Sequence, residues 1–253
     1  MLQLNEISKT FNAGTVNEKV ALDHFSLHLE PGDFLTVVGG NGCGKSTMLN
    51  IIAGLLAVDS GSILIDHDDV TRLPEHRRAA VIGRVFQDPM MGTAPNMTIE
   101  ENLSLAIRRG QKKTFRLSSS KKERKIYKEA LAKLDLGLET RMKTQVGLLS
   151  GGQRQALTLL MATLQSPKIL LLDEHTAALD PKTAATVLEL SEQLVSEKLL
   201  TTIMITHNMK DAIRYGNRLI MMDSGQIIYE AYGEEKQNLT KRDLLDKFDI
   251  IPS

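Results

Sequence analysis

The run Gly39-Gly40-Asn41-Gly42-Cys43-Gly44-Lys45-Ser46, followed by Thr47, constrains this chain more than any other stretch. It fits the pattern G-x-x-x-x-G-K-[ST] and lies between a short apolar run, Phe34 to Val38, and a helical pattern from Lys45 to about Ala57. Glycines permit positive φ, so successive backbone N–H groups can turn inward as an anion nest, and the helix behind them adds the positive end of its dipole. In such a loop Lys45 reaches the β- and γ-phosphates, and the Ser46 hydroxyl is placed to ligate Mg²⁺. An ordinary strand-to-helix turn gives no reason for a lysine at that point. The loop therefore predicts nucleotide binding. Cys43 within it is either a thiol tuned by a helix N-terminus or a small residue filling a variable position.

The rest of the chain alternates strands and helices at its two ends. Apolar–polar alternation marks Leu2, Leu4 and Ile7, then Phe25, Leu27 and Leu29, as half-buried strands. Further strands are expected at Ser62–Ile65, Ala80–Phe86, Ile169–Leu172, Thr202–Ile205, Leu219–Met222 and Gln226–Tyr229. From about 99 to 165 the pattern is almost wholly helical, which predicts an α/β core carrying a helical insertion. A net charge of +0 and an aromatic fraction of 4% argue against nucleic acid as a partner. One cysteine suits a reducing compartment, no apolar stretch approaches the roughly 20 residues that span a bilayer, and the first residues lack a signal-peptide pattern. Any membrane role is expected to come through a partner.

Ile169-Leu170-Leu171-Leu172-Asp173-Glu174 is an apolar strand ending in two acids. Carboxylates rarely lie unpaired near a core, and a Mg²⁺–nucleotide complex supplies the partner: Asp173 for the metal's water shell, Glu174 to orient or deprotonate the attacking water. Leu149-Ser150-Gly151-Gly152-Gln153 opens a helical pattern and by itself fits a serine N-cap. Together these motifs resemble those of the ATP-binding-cassette ATPases, over essentially the whole chain and in the family's order. Gln87 matches the family's Q-loop, Ala178-Leu179-Asp180 its D-loop, and His207 its switch histidine. Phe11 matches the aromatic that stacks on adenine, although a core or hairpin aromatic is the other reading.

The resemblance implies a P-loop NTPase α/β core with a mainly parallel sheet, an N-terminal antiparallel β subdomain and a helical subdomain. Residues 1–98 and 166–233 would form the core, 99–165 the helical part with the signature, and 234–253 a short tail. It implies ATP and Mg²⁺ as cofactors, the metal held by Ser46, Gln87 and Asp173, with Glu174, His207, Lys45 and Gln87 serving catalysis. The nucleotide contacts would come from Phe11, Gly39–Thr47, Gln87, Ser150, Gly151, Gly152, Gln153 and Asp180. One phosphate loop and one signature per chain imply a homodimer, the signature of one copy capping ATP on the other.

The stretches Gly83–Leu103 and Asp173–Lys182 resemble bacterial ATPase subunits of tryptophan/tyrosine-type amino-acid importers, related to branched-chain amino-acid systems. That implies membrane permease subunits docking at residues 88–100, an extracytoplasmic substrate-binding protein, and a place on the cytoplasmic face of a bacterial membrane. The alternatives are a soluble cassette ATPase, such as one serving iron–sulfur assembly, or a different cargo. Met90, Met91 and Met97 offer either adaptable docking surface or ordinary packing. The basic stretch 108–125, with nine Lys or Arg and only Glu123 acidic, is either a solvated face or a contact for anionic lipid headgroups. His175 departs from the proline usual after the catalytic glutamate; it is either an added titratable group or a subgroup trait.

Overall fold

The computed structural model describes residues 1–110 and 120–249. In chain order its strands and helices are β1 (Leu2–Phe11), β2 (Lys19–Leu29), β3 (Phe34–Gly39), α1 (Lys45–Ala53), β4 (Ser60–Ile65), β5 (Asp68–Asp69), α2 (Glu75–Arg78) and β6 (Ile82–Val85). There follow α3 (Ile99–Ile107), α4 (Lys121–Ala132), α5 (Gly151–Thr163), β7 (Ile169–Asp173) and α6 (Pro181–Lys198). The chain closes with β8 (Thr201–Ile205), α7 (Met209–Arg214), β9 (Arg218–Asp223), β10 (Gln226–Tyr232), α8 (Glu234–Gln237) and α9 (Lys241–Asp249). Two compact units result, one of Met1–Arg78 with the chain from Leu199 onward, the other of Ala79–Lys198.

In the first unit, β2, β1, β4 and β5 form an antiparallel sheet in that order. Its apolar residues fall on alternate positions, as one-sided burial requires, but β1 breaks register after Leu4, where Glu6 takes φ +50°. The other strands of this unit run β10–β9–β3–β8, with β3 parallel to both β8 and β9. Phe34 to Val38 are all buried, the continuous apolar run of a strand covered on both faces. Val38 packs with Ala212, Leu219, Met221 and Leu244. Leu244 lies on α9, so the chain beyond residue 233 contributes to the core instead of trailing from it. Its sequence is too charged to announce this.

Helix α1 stops at Ala53, short of the expected Ala57. Gly54 turns left-handed at φ +84°, and its N–H reaches the Asn50 and Ile51 carbonyls. Buried Arg78 then donates to the Ile51 and Ile52 carbonyls at 2.7 and 2.9 Å, satisfying a helix end that water does not reach.

In the second unit β6 and β7 are parallel, Ile82 opposite Ile169 and Val85 opposite Leu172. Helices α3, α4 and α5 each start with a reciprocal capping box, on Thr98/Glu101, Ser120/Glu123 and Ser150/Gln153. Part of the basic stretch, 111–119, lies outside the described residues. Of the remainder, Arg108 pairs with Glu123 and Arg124 with Glu100.

Candidate nucleotide site

The phosphate loop emerges where parallel strands β3 and β8 end, the edge at which open α/β sheets hold ligands. Val37 is opposite Ile205, so Gly39–Gly40 and His207 leave the sheet at the same end. The loop's path is enforced by its neighbours. Gly44 sits at φ +108°, and a Cβ there would lie 2.4 Å from the Ala21 carbonyl oxygen. The tight β9–β10 turn braces the loop from another side, the Gly225 N–H donating to the Cys43 carbonyl at 3.0 Å. Lys45 is 5% exposed, and its ammonium donates to the Gly39 and Gly40 carbonyls, both at 2.8 Å. Ser46 is exposed, Thr47 half-buried and the Cys43 thiol buried.

A cavity of about 220 Å³ opens beside the loop, lined by Phe11, Lys19, Gly42, Lys45, Ser46 and Thr47 among others. This puts Phe11 against the loop and not within the core. Lys19 is its cross-strand partner at the end of the β1–β2 hairpin. The Lys19 ammonium lies 2.8 Å from where a Cβ on Gly42 would be. Sequence reasoning missed Lys19 because its nearness depends on hairpin register, and β1 and β2 slip register three times.

In the second unit, the β6–β7 register carries Gln87 and the pair Asp173–Glu174 to the same end of two parallel strands. Gln87 is exposed; Asp173 and Glu174 are half-buried. Glu174 takes φ +46°, a left-handed conformation costly for a non-glycine residue and typical of functional positions. The backbone then turns through Glu174–Ala177 and Thr176–Leu179 hydrogen bonds to Asp180, whose carboxylate accepts the Thr183 N–H at 3.1 Å and starts α6. Hydrogen bonds from the Thr183 side chain and then its N–H hold the exposed Asp180 carboxyl below the usual range. The signature turn lies against this segment: a Cβ on Gly151 would meet the Leu179 side chain at 3.4 Å, and one on Gly152 would meet Thr183 at 2.1 Å. Ser150 caps α5, its hydroxyl accepting the Gln153 N–H at 3.3 Å while the Gln153 carboxamide accepts the Ser150 N–H at 3.3 Å.

A family model described as ABC transporter matches residues 22–177. The chain belongs to the ATP-binding-cassette family. It is 45% identical to the tyrosine transport ATP-binding protein of Clostridioides difficile, over 98% of this chain and 99% of that one. Identity is 35% to the thiamine import ATP-binding protein of Yersinia pseudotuberculosis, over 81% and 82% of the two chains. Among solved structures it resembles the dimeric post-hydrolysis cassette MJ0796 bound to ADP and phosphate, with a TM-score of 0.77, 32% identity and coverage of 92% and 98%. The ADP conformation of the cassette MJ1267 gives a TM-score of 0.79 at 28% identity, covering 99% of both chains. The fold is therefore the cassette ATPase fold, and the enzyme class is ATPase.

For a cassette ATPase two further features stand out. His175 is 2% exposed, with Nε2 3.0 Å from the Ser191 hydroxyl of α6. Burial pushes its pKa down to about 4, so the imidazole is neutral near pH 7 and serves packing. A groove of about 420 Å³ runs beside the Q-loop segment, lined by Arg84, Met91, Leu105, Arg109 and Met161 among others. Met91 is 70% and Leu105 56% exposed, while Asn102 fixes the loop above them through both the N–H and the carbonyl of Ala94. Arg84 was passed over in the sequence, although a basic residue inside an apolar strand, beside Phe86 and Gln87, was the available signal. Among the described residues no helix is long and apolar enough to cross a membrane.

Proposed function

We propose that this chain is the ATP-hydrolysing subunit of an importer for an aromatic amino acid of the tyrosine/tryptophan type, working as a pair of copies beneath permease subunits. The observation that carries the enzymatic part is the phosphate loop: an uncapped helix start, glycines packed so tightly that no Cβ fits at Gly44, and a buried lysine ammonium within the nest. ATP phosphates would take the place of the Gly39 and Gly40 carbonyls on Lys45, with Phe11 stacked on the adenine. Ser46, Gln87 and Asp173 offer a hydroxyl, a carboxamide oxygen and one carboxylate. Such hard donors suit Mg²⁺, which keeps waters and phosphate oxygens in its shell. No cluster of three or more His, Cys, Asp or Glu exists among the described residues, and that donor set needs none. When bound, the metal neutralises charge developing on the transferred phosphoryl group. Glu174 orients or deprotonates the attacking water, and His207 contacts the γ-phosphate.

The cargo and direction rest on the 45% identity to the Clostridioides difficile protein over its full length. Relatives named for thiamine or spermidine/putrescine import are less similar, and the chain covers only 59% of the latter from Haemophilus influenzae. Pairing is supported by the dimeric state of the similar cassette and by the lone signature of this chain. Permeases are expected to dock at residues 88–100, where Met90 and Met91 are exposed, and an extracytoplasmic binding protein delivers the cargo. Uptake of labelled tyrosine and tryptophan by cells lacking this gene tests the reading. The wild-type gene should restore uptake of one of them and Glu174→Gln should not. Restoration by Glu174→Gln would remove the catalytic assignment, and restored uptake of neither amino acid would remove the cargo.

A further inference from the structure

Strand β6 is buried except at Arg84, and a guanidinium in that setting needs partners to offset its desolvation. Its partners include two of different kinds. Its Nη2 donates to Oδ2 of Asp173 at 2.9 Å, the two side chains being only 12% and 15% exposed. Its guanidinium carbon lies 4.7 Å from the centre of the Phe86 ring. The same residue lines the groove together with Met91 and Leu105. One side chain thus touches the carboxylate assigned to the metal and the surface assigned to the permease.

We infer that Arg84 is a positioning residue that orients the Asp173 carboxylate and makes this orientation responsive to what fills the groove. The inference rests on the reading of Asp173 and of the groove given under Proposed function. A carboxylate held at one oxygen by a charged hydrogen bond presents its other oxygen in a fixed direction. Arginine suits the task because its planar group stacks on Phe86 while donating, so the donor cannot swing freely. A permease segment seated on Met91 and Leu105 would occupy the groove that Arg84 also lines. Gln87 lies three residues further along the same strand end, so both residues would report the occupant to the metal.

The test uses the purified subunit with ADP and Mn²⁺ as the spectroscopic probe, bound metal being read by electron paramagnetic resonance. Arg84→Ala should weaken Mn²⁺ binding roughly 10- to 100-fold, the usual effect of losing a group that orients a metal ligand. Nucleotide affinity in the presence of EDTA should stay within about twofold, because the role inferred for Arg84 runs through Asp173 and the metal and not through the phosphate loop. Arg84→Lys keeps the charge and safeguards folding; it should recover part of the Mn²⁺ affinity. Mn²⁺ affinity unchanged in both variants overturns the positioning role. The second arm compares the subunit alone with the subunit assembled on its permease in nanodiscs. Assembly should shift the Mn²⁺ affinity of the wild type and not that of Arg84→Lys; equal shifts overturn the link to the groove. Absence of nucleotide binding by the wild type both with EDTA and with Mn²⁺ would instead remove the nucleotide-site reading beneath both arms.

Discussion

Helices α1 and α5 both begin in glycine-containing turns, yet they complete their first turns in opposite ways. At α1 the cap position is Gly44 and no side chain accepts from the helix, so its first donors await an external anion. At α5 the Ser150–Gln153 capping box satisfies the turn from within. The first is a binding site by construction, held in a shape that only glycine fits. The second is a finished helix start that would fold the same way in a protein without ligand. Its remaining anion-binding capacity lies in N–H groups that, in the proposed dimer, would meet a phosphate held by the other copy.

The largest expected effects separate these two turns directly. Gly44→Ala places a methyl against the Ala21 carbonyl in a left-handed conformation, and strain of this kind should weaken ATP binding by roughly 100-fold. Gly151→Ala meets only the Leu179 side chain at ordinary contact distance, and should leave the affinity of the isolated subunit within about twofold. Titration with a fluorescent ATP analogue measures both, and equal losses would break the contrast. Ser150→Asp sharpens it further. Aspartate caps a helix as well as serine does, so urea stability should change by less than about 0.5 kcal/mol, while turnover should fall about 100-fold as a carboxylate meets the γ-phosphate. Ser150→Ala should lose about 1 kcal/mol through the cap alone. Wild-type turnover in Ser150→Asp would show that the signature does not face phosphate.

The two units should also differ in acid. In the second unit His175 has its pKa lowered to about 4 by burial, so the unfolded chain binds the proton more readily. Its contribution is complete above about pH 6.5 and is lost as the pH falls towards 4, a loss on the order of 3 kcal/mol. In the first unit burial pushes the Asp33 carboxyl up, but hydrogen bonds from Asn217, the Glu30 N–H and Arg218 outweigh it and leave it below the usual value. That contribution persists until the pH drops below about 4, where the carboxylate is protonated. Hydrogen exchange on the nucleotide- and metal-free protein should therefore show α6 and β7 loosening between pH 6.5 and 4 while β3 and β9 stay protected. Simultaneous loosening would place the acid-sensitive group elsewhere.

What was legible in the sequence follows the same division between local and distant causes. The phosphate loop, the Asp173–Glu174 strand end and the Ser150 turn are each written in a few consecutive residues. So were most strands, because β3 and β7 are unbroken apolar runs. The remainder depends on partners far along the chain. Lys19 reaches the loop only through hairpin register, Arg78 finds the Ile51 and Ile52 carbonyls more than twenty residues away, and Arg84 meets Asp173 across a parallel pair. The left-handed backbone at Glu174 carries no residue-type signal at all, since glutamate is an unusual choice there.

The smallest expected effect concerns the aromatic beside the loop. Phe11 is half-buried, sits opposite Lys19 and lines the cavity next to Lys45 and Thr47. Stacking on a base is worth about 0.5–1.5 kcal/mol, so Phe11→Ala should weaken ATP binding by roughly 2- to 10-fold and Phe11→Tyr should leave it nearly intact. The contrast between a loop shaped for an anion and a helix start capped from within makes a further demand. Because Phe11 belongs to the unit that carries the loop, its loss should appear in the isolated subunit and be no larger in the assembled pair. An effect confined to the pair would mean that the aromatic acts across the dimer, and that the loop does not hold its nucleotide unaided.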